Sequence, residues 1–262
     1  MGNGYRAPRR LELQALSHIP LARPGDDVAA LIISGLSDDG LGLLPGDALV
    51  IAQKLVSKCE NRLVSLASVT ASPRAEELAR RTGKDSRLVE LILSESSELL
   101  RVGREVLIVQ HRNGFVLANA GIDMSNANPD GGDAQALLLP VDADASARRI
   151  RNALQDHFGV DCAVLIIDSI GRAWRRGTVG QALGAAGLPV LVDLRGRRDL
   201  HGRVLRSSDL AHADELAAAA SILMGQADEG RPVVLVRGLL SPAPAAAAAV
   251  DLQRQRAEDL FR

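Results

Sequence analysis

Ala163-Val164-Leu165-Ile166-Ile167-Asp168-Ser169 is the stretch on which the fold turns. Five apolar residues in a row read as a strand buried in a sheet. The carboxylate that ends the run is carried to the strand end and aimed out of the sheet toward a crevice. A second run of the same kind, Ala48-Leu49-Val50-Ile51-Ala52, follows the turn Pro45-Gly46-Asp47. Leu11 to Leu16 alternates apolar and polar residues, the pattern of a half-buried strand.

Helical segments lie between these runs. Asp26 and Asp27 can cap a helix over about 27–35, after the turn Ile19-Pro20-Leu21-Ala22-Arg23-Pro24-Gly25. Ser72-Pro73 opens two helices that fill 73–100, broken at Thr82-Gly83-Lys84-Asp85. Val106 to Val109 and Phe115 to Ala118 bracket a hairpin around His111-Arg112-Asn113-Gly114. Ala147, Ile150, Leu154 and Phe158 mark one face of a helix that Gly159 ends. Short strands are expected at 190–192 and 233–236, and an Ala-rich helix over about 210–224. Pro242 to Ala248 is a low-complexity joint before a charged C-terminal helix. Strands and helices mix without clean βαβ alternation, so the fold class is α+β, or mixed α/β.

Bulk properties exclude several functions. Of 262 residues, 47% are apolar and 24% charged, the balance of a globular protein. One Trp, one Tyr and three Phe leave little for stacking on single-stranded nucleic acid. A net charge of −1 provides no global field for nucleic acid or anionic lipid. Cys59 and Cys162 lack metal-type spacing, and the five His form no HxxxH set. No apolar run is long enough to span a bilayer, and no signal peptide opens the chain, so a cytoplasmic protein is expected.

Two carboxylates stand out. Residues 119–126, Asn-Ala-Gly-Ile-Asp-Met-Ser-Asn, place Asp123 among small, amide and hydroxyl side chains after a strand-like run. Hard cations favour such oxygens. The same letters also suit an Asx-rich turn that caps a helix. Asp168, with the Ser169 hydroxyl beside it, would pair with Asp123 in a two-metal phosphate site, or would simply cap the turn to Gly171. Gly171-Arg172-Ala173-Trp174-Arg175-Arg176-Gly177 is a basic loop suited to an acidic substrate, or a solvated turn. Arg195 to Arg203 repeats the theme. Gln53-Lys54-Leu55-Val56-Ser57-Lys58 follows a strand end, although no Walker A or Rossmann glycine pattern is present. Met224 to Gly230 ends the Ala-rich helix in a loop that is either a plain C-cap or a nucleotide-binding turn with Gln226 as an oxygen ligand.

Taken together, Ile19-Pro20-Leu21, Gly25-Asp26-Asp27, Ser57-Lys58, Gly83-Lys84, the 119–126 motif, Leu138-Leu139-Pro140, Asp168-Ser169-Ile170-Gly171-Arg172, Arg175-Arg176-Gly177, Gly196-Arg197, Met224-Gly225 and Val236-Arg237-Gly238 resemble the F420 γ-glutamyl ligase (coenzyme F420-0:L-glutamate ligase) family. The likeness covers about 11–240. It implies an enzyme that uses GTP, with Mn²⁺ or Mg²⁺ and K⁺, to add L-glutamate to the phospholactyl end of a deazaflavin through an acyl phosphate. A second glutamate can follow through a γ-linkage.

The resemblance also implies an intertwined homodimer, and the bulk properties above speak against a nucleic-acid or membrane partner. It divides the chain into a leader at 1–10, a catalytic unit at 11–240 with an inserted subdomain at about 70–190, and a tail at 241–262. By position, Asp123, Asp168, Arg172 and Arg175 match catalytic residues, and Asp123, Asp168, Ser169 and Gln226 match metal ligands. Gln226 replaces a Glu common in the family. Ile19, Pro20, Leu21, Ala22, Gln53, Lys54, Lys58, Asn126, Met224, Gly225, Gln226, Ala227, Asp228, Glu229, Gly230 and Arg231 align with nucleotide contacts. A ligase for another acceptor acid, or a non-catalytic phosphometabolite-binding protein, is the alternative.

Overall fold

The computed structural model describes residues 10–124, 134–239 and 248–260. In chain order the strands and α-helices are β1 (Glu12–Ala15), α1 (Val28–Asp38), β2 (Ala48–Ala52), α2 (Gln53–Cys59), β3 (Leu63–Ser65), α3 (Pro73–Thr82), α4 (Ser86–Ser94), β4 (Ser96–Gly103), β5 (Val106–His111), β6 (Val116–Ala118), β7 (Gln135–Leu137), α5 (Ala143–Phe158), β8 (Ala163–Arg172), β9 (Arg175–Ala186), β10 (Val192–Asp193), β11 (Asp209–Leu210), α6 (His212–Met224) and β12 (Val233–Arg237). The class is α+β, as the sequence indicates.

Local chemistry sets the helix starts. Asp27 accepts from the amides of Ala29 and Ala30 at 2.8 and 3.2 Å. Ser72 accepts from Ala75 at 3.2 Å, with Pro73 at the first helical position. Gly83, at φ 80°, closes α3 in a left-handed cap. Asp85 then caps α4 through Arg87 at 2.8 Å.

Five strands form the central sheet in the order β1-β12-β2-β8-β9. Only β2 and β8 run parallel; the other neighbours are antiparallel. Both faces are covered, which explains the unbroken apolar runs. Leu49, Ile51, Val164, Ile166, Val233 and Leu235 pack against α1 and α5. Val50, Leu165, Ile167, Val234 and Val236 pack against the Ala-rich face of α6. The close approach of both layers is visible in β9. A Cβ at Gly180 would lie 2.4 Å from the Ala217 carbonyl oxygen in α6, and one at Gly184 would lie 2.3 Å from Ala143 in α5.

A smaller layer lies outside this sheet. The strands β4-β5-β6 pair in order, and α3 and α4 cover them through Ala75, Leu78, Val89, Ile92, Leu107 and Val109. The ribbon β3-β7 links this layer to the rest.

Four expectations need correction. The second helix of 73–100 stops at Ser94, and β4 begins at Ser96 because its backbone pairs with β5, a tertiary demand that overrides helical propensity. The segment 190–192 contributes only β10, a two-residue strand paired with β11. The basic stretch 171–177 is not an open loop but the tip of the long β8–β9 hairpin. The described C-terminal residues form only 3-10 turns at Ala249–Leu252 and Arg256–Glu258. There the Asp144 carboxylate captures the Ala249 amide at 2.8 Å and Arg256 reaches Glu98 at 2.6 Å, contacts that pin the segment across α5 and β4.

Candidate active site

Strand order gathers the site. Because β2 and β8 are parallel, with Ala52 opposite Ile167, their next residues, Gln53 and Asp168, emerge side by side at one end of the sheet. The antiparallel β12 enters from that same end: the Ala52 amide donates to the Pro232 carbonyl at 2.8 Å. Next to it β1 leaves there, with the Leu16 amide donating to the Val233 carbonyl at 2.9 Å. Residues 19–22, 53–58, 168–169 and 225–232 are therefore neighbours in space.

They line a cleft of about 850 Å³. Its wall includes Ile19, Pro20, Leu21, Ala22, Gln53, Lys54, Lys58, Asp123, Asp168, Ser169 and every residue from Met224 to Arg231. Asn126 lies outside the described residues. Arg172 and Arg175 are placed elsewhere, at the β8–β9 tip around the left-handed Trp174, which is 88% exposed. Neither arginine is part of the cleft wall.

Asp123 reaches the cleft from the outer layer. Its amide donates to the Leu137 carbonyl at 3.0 Å, and the Leu137 amide donates back at 2.8 Å, so β7 holds it in place. The chain arrives through three successive left-handed residues: Asn119, Ala120 and Gly121, at φ 53°, 55° and 66°. Such a run is costly unless its surroundings enforce it. Here they do. Asn119 Oδ1 accepts from the Leu107 amide at 3.0 Å, and Ala120 is fully buried under α3 and α4. A Cβ at Gly121 would come within 2.9 Å of Leu117 and Leu139. Each letter of Asn-Ala-Gly thus has a reason, a hydrogen bond for the first and packing for the other two.

The charges interlock. Lys54, at the start of α2, forms an ion pair with Asp123. Burial pushes the Asp168 carboxyl up to about 6; its hydrogen bond to the Ser169 amide, the Lys54 ammonium and a hydrogen bond from Gln53 oppose that rise, and the Asp123 charge adds to it. Gln53 is itself oriented: its Oε1 accepts from Ser57 Oγ at 2.8 Å, which leaves the amide nitrogen to donate to Asp168. Two carboxylates from distant parts of the chain therefore face one ammonium.

The donors suit a hard cation: two carboxylates, the Ser169 hydroxyl and the Gln226 amide oxygen line the same wall. Among the described residues no group of three or more His, Cys, Asp or Glu gathers as a ligand set. Any ion held here would draw its remaining ligands from hydroxyl, amide, water or phosphate oxygens. Sequence reasoning missed Thr178 and Ser221, which also line the cleft. Thr178 stands opposite Gly171 on β9, and only recognition of that long hairpin would have placed it.

A profile of the family described as F420-0:Gamma-glutamyl ligase matches residues 17–238, a span that holds both carboxylates and every described wall residue. The chain belongs to the F420-0:gamma-glutamyl ligase family. A coenzyme F420:L-glutamate ligase from Methanothermobacter thermautotrophicus is 50% identical over 228 residues, 87% of this chain and 89% of that one. The protein of the same name from Methanopyrus kandleri is 50% identical over 217 residues, 83% and 82% of the two chains. That from Methanocaldococcus jannaschii is 38% identical over 256 residues, 97% and 98% of the two. The F420-0:gamma-glutamyl ligase match begins just before Ile19 and ends just after Arg237, so it takes in the central sheet from β12 to β9.

Proposed function

We propose that this ligase adds L-glutamate to the phospholactyl-type carboxylate of coenzyme F420-0 in F420 biosynthesis, with GTP as co-substrate, Mn²⁺ or Mg²⁺ at the two carboxylates, and K⁺ assisting. The observation that carries the reading is the meeting of Asp123 and Asp168 across Lys54, inside a cleft walled by residues 19–22 and 224–231. About 850 Å³ is room for a nucleoside triphosphate and part of an acceptor.

The reaction has two displacements. The acceptor carboxylate attacks the γ-phosphorus of GTP, and GDP leaves. The glutamate amine then attacks the acyl carbon of the mixed anhydride, phosphate leaves, and the amine loses its proton. A divalent ion would offset charge on the phosphoryl oxygens. The chain's own part is positioning. Asp123 and Asp168 would hold the ion, Ser169 and Gln226 offer neutral oxygens, and Lys54 would turn from Asp123 to a phosphate. Gln53, itself held by Ser57, would steady the Asp168 carboxylate. Leu21, 89% exposed at the cleft rim, offers an apolar surface to a ring.

Arg172 and Arg175 would serve the acidic acceptor from the β8–β9 tip, where the exposed Trp174 suits coverage by a second copy in a homodimer. No helix among the described residues is long and apolar enough to cross a membrane, which fits the cytoplasmic setting we propose.

Incubation of the protein with GTP, Mn²⁺, glutamate and F420-0, followed by mass spectrometry of the deazaflavin, tests the reading. Addition of one glutamyl mass or more is expected. No added mass at any Mn²⁺ or Mg²⁺ level would defeat it.

A further inference from the structure

The loop that closes the cleft behind α6 is folded around an anion of its own. The Ala227 amide donates to Glu229 Oε2 at 2.8 Å. The Ala227 bond, with the backbone amides of Glu229 and Gln226 turned toward the same group, holds the carboxylate below the usual range for a glutamate. The carboxylate rests on Gly225: a Cβ there would lie 2.0 Å from Glu229 Cδ and 2.3 Å from each carboxylate oxygen. Gly225 has φ 73° and ψ −173°, a region essentially reserved for glycine. The backbone conformation demands glycine here, and the absence of a Cβ lets the carboxylate lie against the chain. Loop N–H groups that converge on one oxyanion in this way form an anion-binding nest. Both nest and carboxylate belong to the cleft wall.

We infer that Glu229 is a built-in competitor that fills the loop's amide nest in the free protein and must leave it before the anionic arm of the ligand can bind there. The donors that hold a carboxylate oxygen would hold a phosphate oxygen equally well. The side chain is exposed, so nothing packs over it to prevent its departure. Its displacement lowers the apparent affinity of the cleft for polyanions by the fraction of molecules in which the nest is open. The inference rests on the reading that this cleft accepts a nucleoside triphosphate.

The test is calorimetric titration of wild type, Glu229→Ala and Glu229→Gln with GTP, inorganic tripolyphosphate and guanosine, in metal-free buffer, with melting temperatures alongside. Glu229→Ala is expected to bind GTP and tripolyphosphate about tenfold more tightly than wild type, as for a nest open in roughly a tenth of molecules. Guanosine affinity should not change. Glu229→Gln, which keeps an acceptor for the amides but loses the charge, should fall between. Unchanged or weaker tripolyphosphate binding in both variants, at an unchanged melting temperature, overturns the inference. So does an equal gain for guanosine, which would mean general loosening of the loop, and so does an absence of tripolyphosphate binding in all three proteins. If tripolyphosphate behaves as expected but GTP does not bind wild type, the nucleotide reading fails and the competitor role stands.

Discussion

The most exposed tension at the residue scale is in Asp168. The phosphoryl site proposed above calls for its charge, yet burial opposes it and lifts its carboxyl from 3.8 to about 6. The folded value exceeds the unfolded one, so the folded state binds the proton more tightly. That advantage is complete below pH 3.8 and is lost as pH rises through 6. Asp168→Asn should therefore raise the metal-free protein's stability at pH 7.5 by about 1–3 kcal/mol, with the gain vanishing near pH 3.5. Thermal unfolding at both pH values checks this. The same variant should lose glutamate addition by a hundredfold or more, a trade of stability for function. Asn119 presents the opposite case. Asn119→Ala removes the acceptor for the Leu107 amide and places a less tolerant residue at φ 53°. A loss of about 1–3 kcal/mol in urea unfolding is expected, together with weaker Mn²⁺ binding, because Asp123 depends on that turn.

At the scale of elements, an ion pair ties the start of β3 to the turn between α4 and β4. Arg62, just before β3, donates to Glu95 Oε2 at 2.6 Å and to the Leu139 carbonyl at 2.8 Å. His111 of β5 faces the same carboxylate at 3.7 Å. The neighbouring His111 imidazole and the Arg62 charge hold Glu95 below its ordinary 4.5 against the opposing effect of burial. The sign is that of a depressed acid: the stabilisation is present above 4.5 and disappears as pH falls through the folded value. Glu95→Gln should cost about 1–2 kcal/mol at pH 7, and its melting curve should converge with wild type as the pH drops toward 3. Helix starts at Asp27 and Ser72 were legible in the sequence because caps are local chemistry. The switch from α4 to β4 was not, because the pairing of Ser96–Gly103 with β5 decides it. The β8–β9 hairpin was hidden for a related reason: glycines and arginines at 171–177 carry turn signals, while the pairing partner lies beyond them.

Across the whole molecule, the sequence already contained the parts of the site but not their meeting place. Residues 19–22, 53–58, 123, 168 and 224–231 are separated by whole helices and strands. Only the strand order β1-β12-β2-β8-β9 brings them to one end, and strand order is not written in any local pattern. Thr178 shows the same limit, since it joins the cleft through a register that spans the entire hairpin. The two-sided burial of this sheet also has a chemical consequence. Cys59 and Cys162 are both buried, and burial pushes each thiol up to about 11. Both should resist a disulfide reagent at pH 8 in the native protein and react fully once guanidinium unfolds it.

The account stands on two carboxylates acting as one centre, and a double-mutant cycle on Mn²⁺ binding in the presence of GTP measures that directly. Electron paramagnetic resonance titration would give the affinity of wild type, Asp123→Asn, Asp168→Asn and the double variant. Each single change should weaken Mn²⁺ binding at least thirtyfold, and the double variant should be little worse than the weaker single, because either loss dismantles the shared site. Two independent losses that simply add, or one carboxylate whose removal leaves Mn²⁺ affinity unchanged, would contradict it.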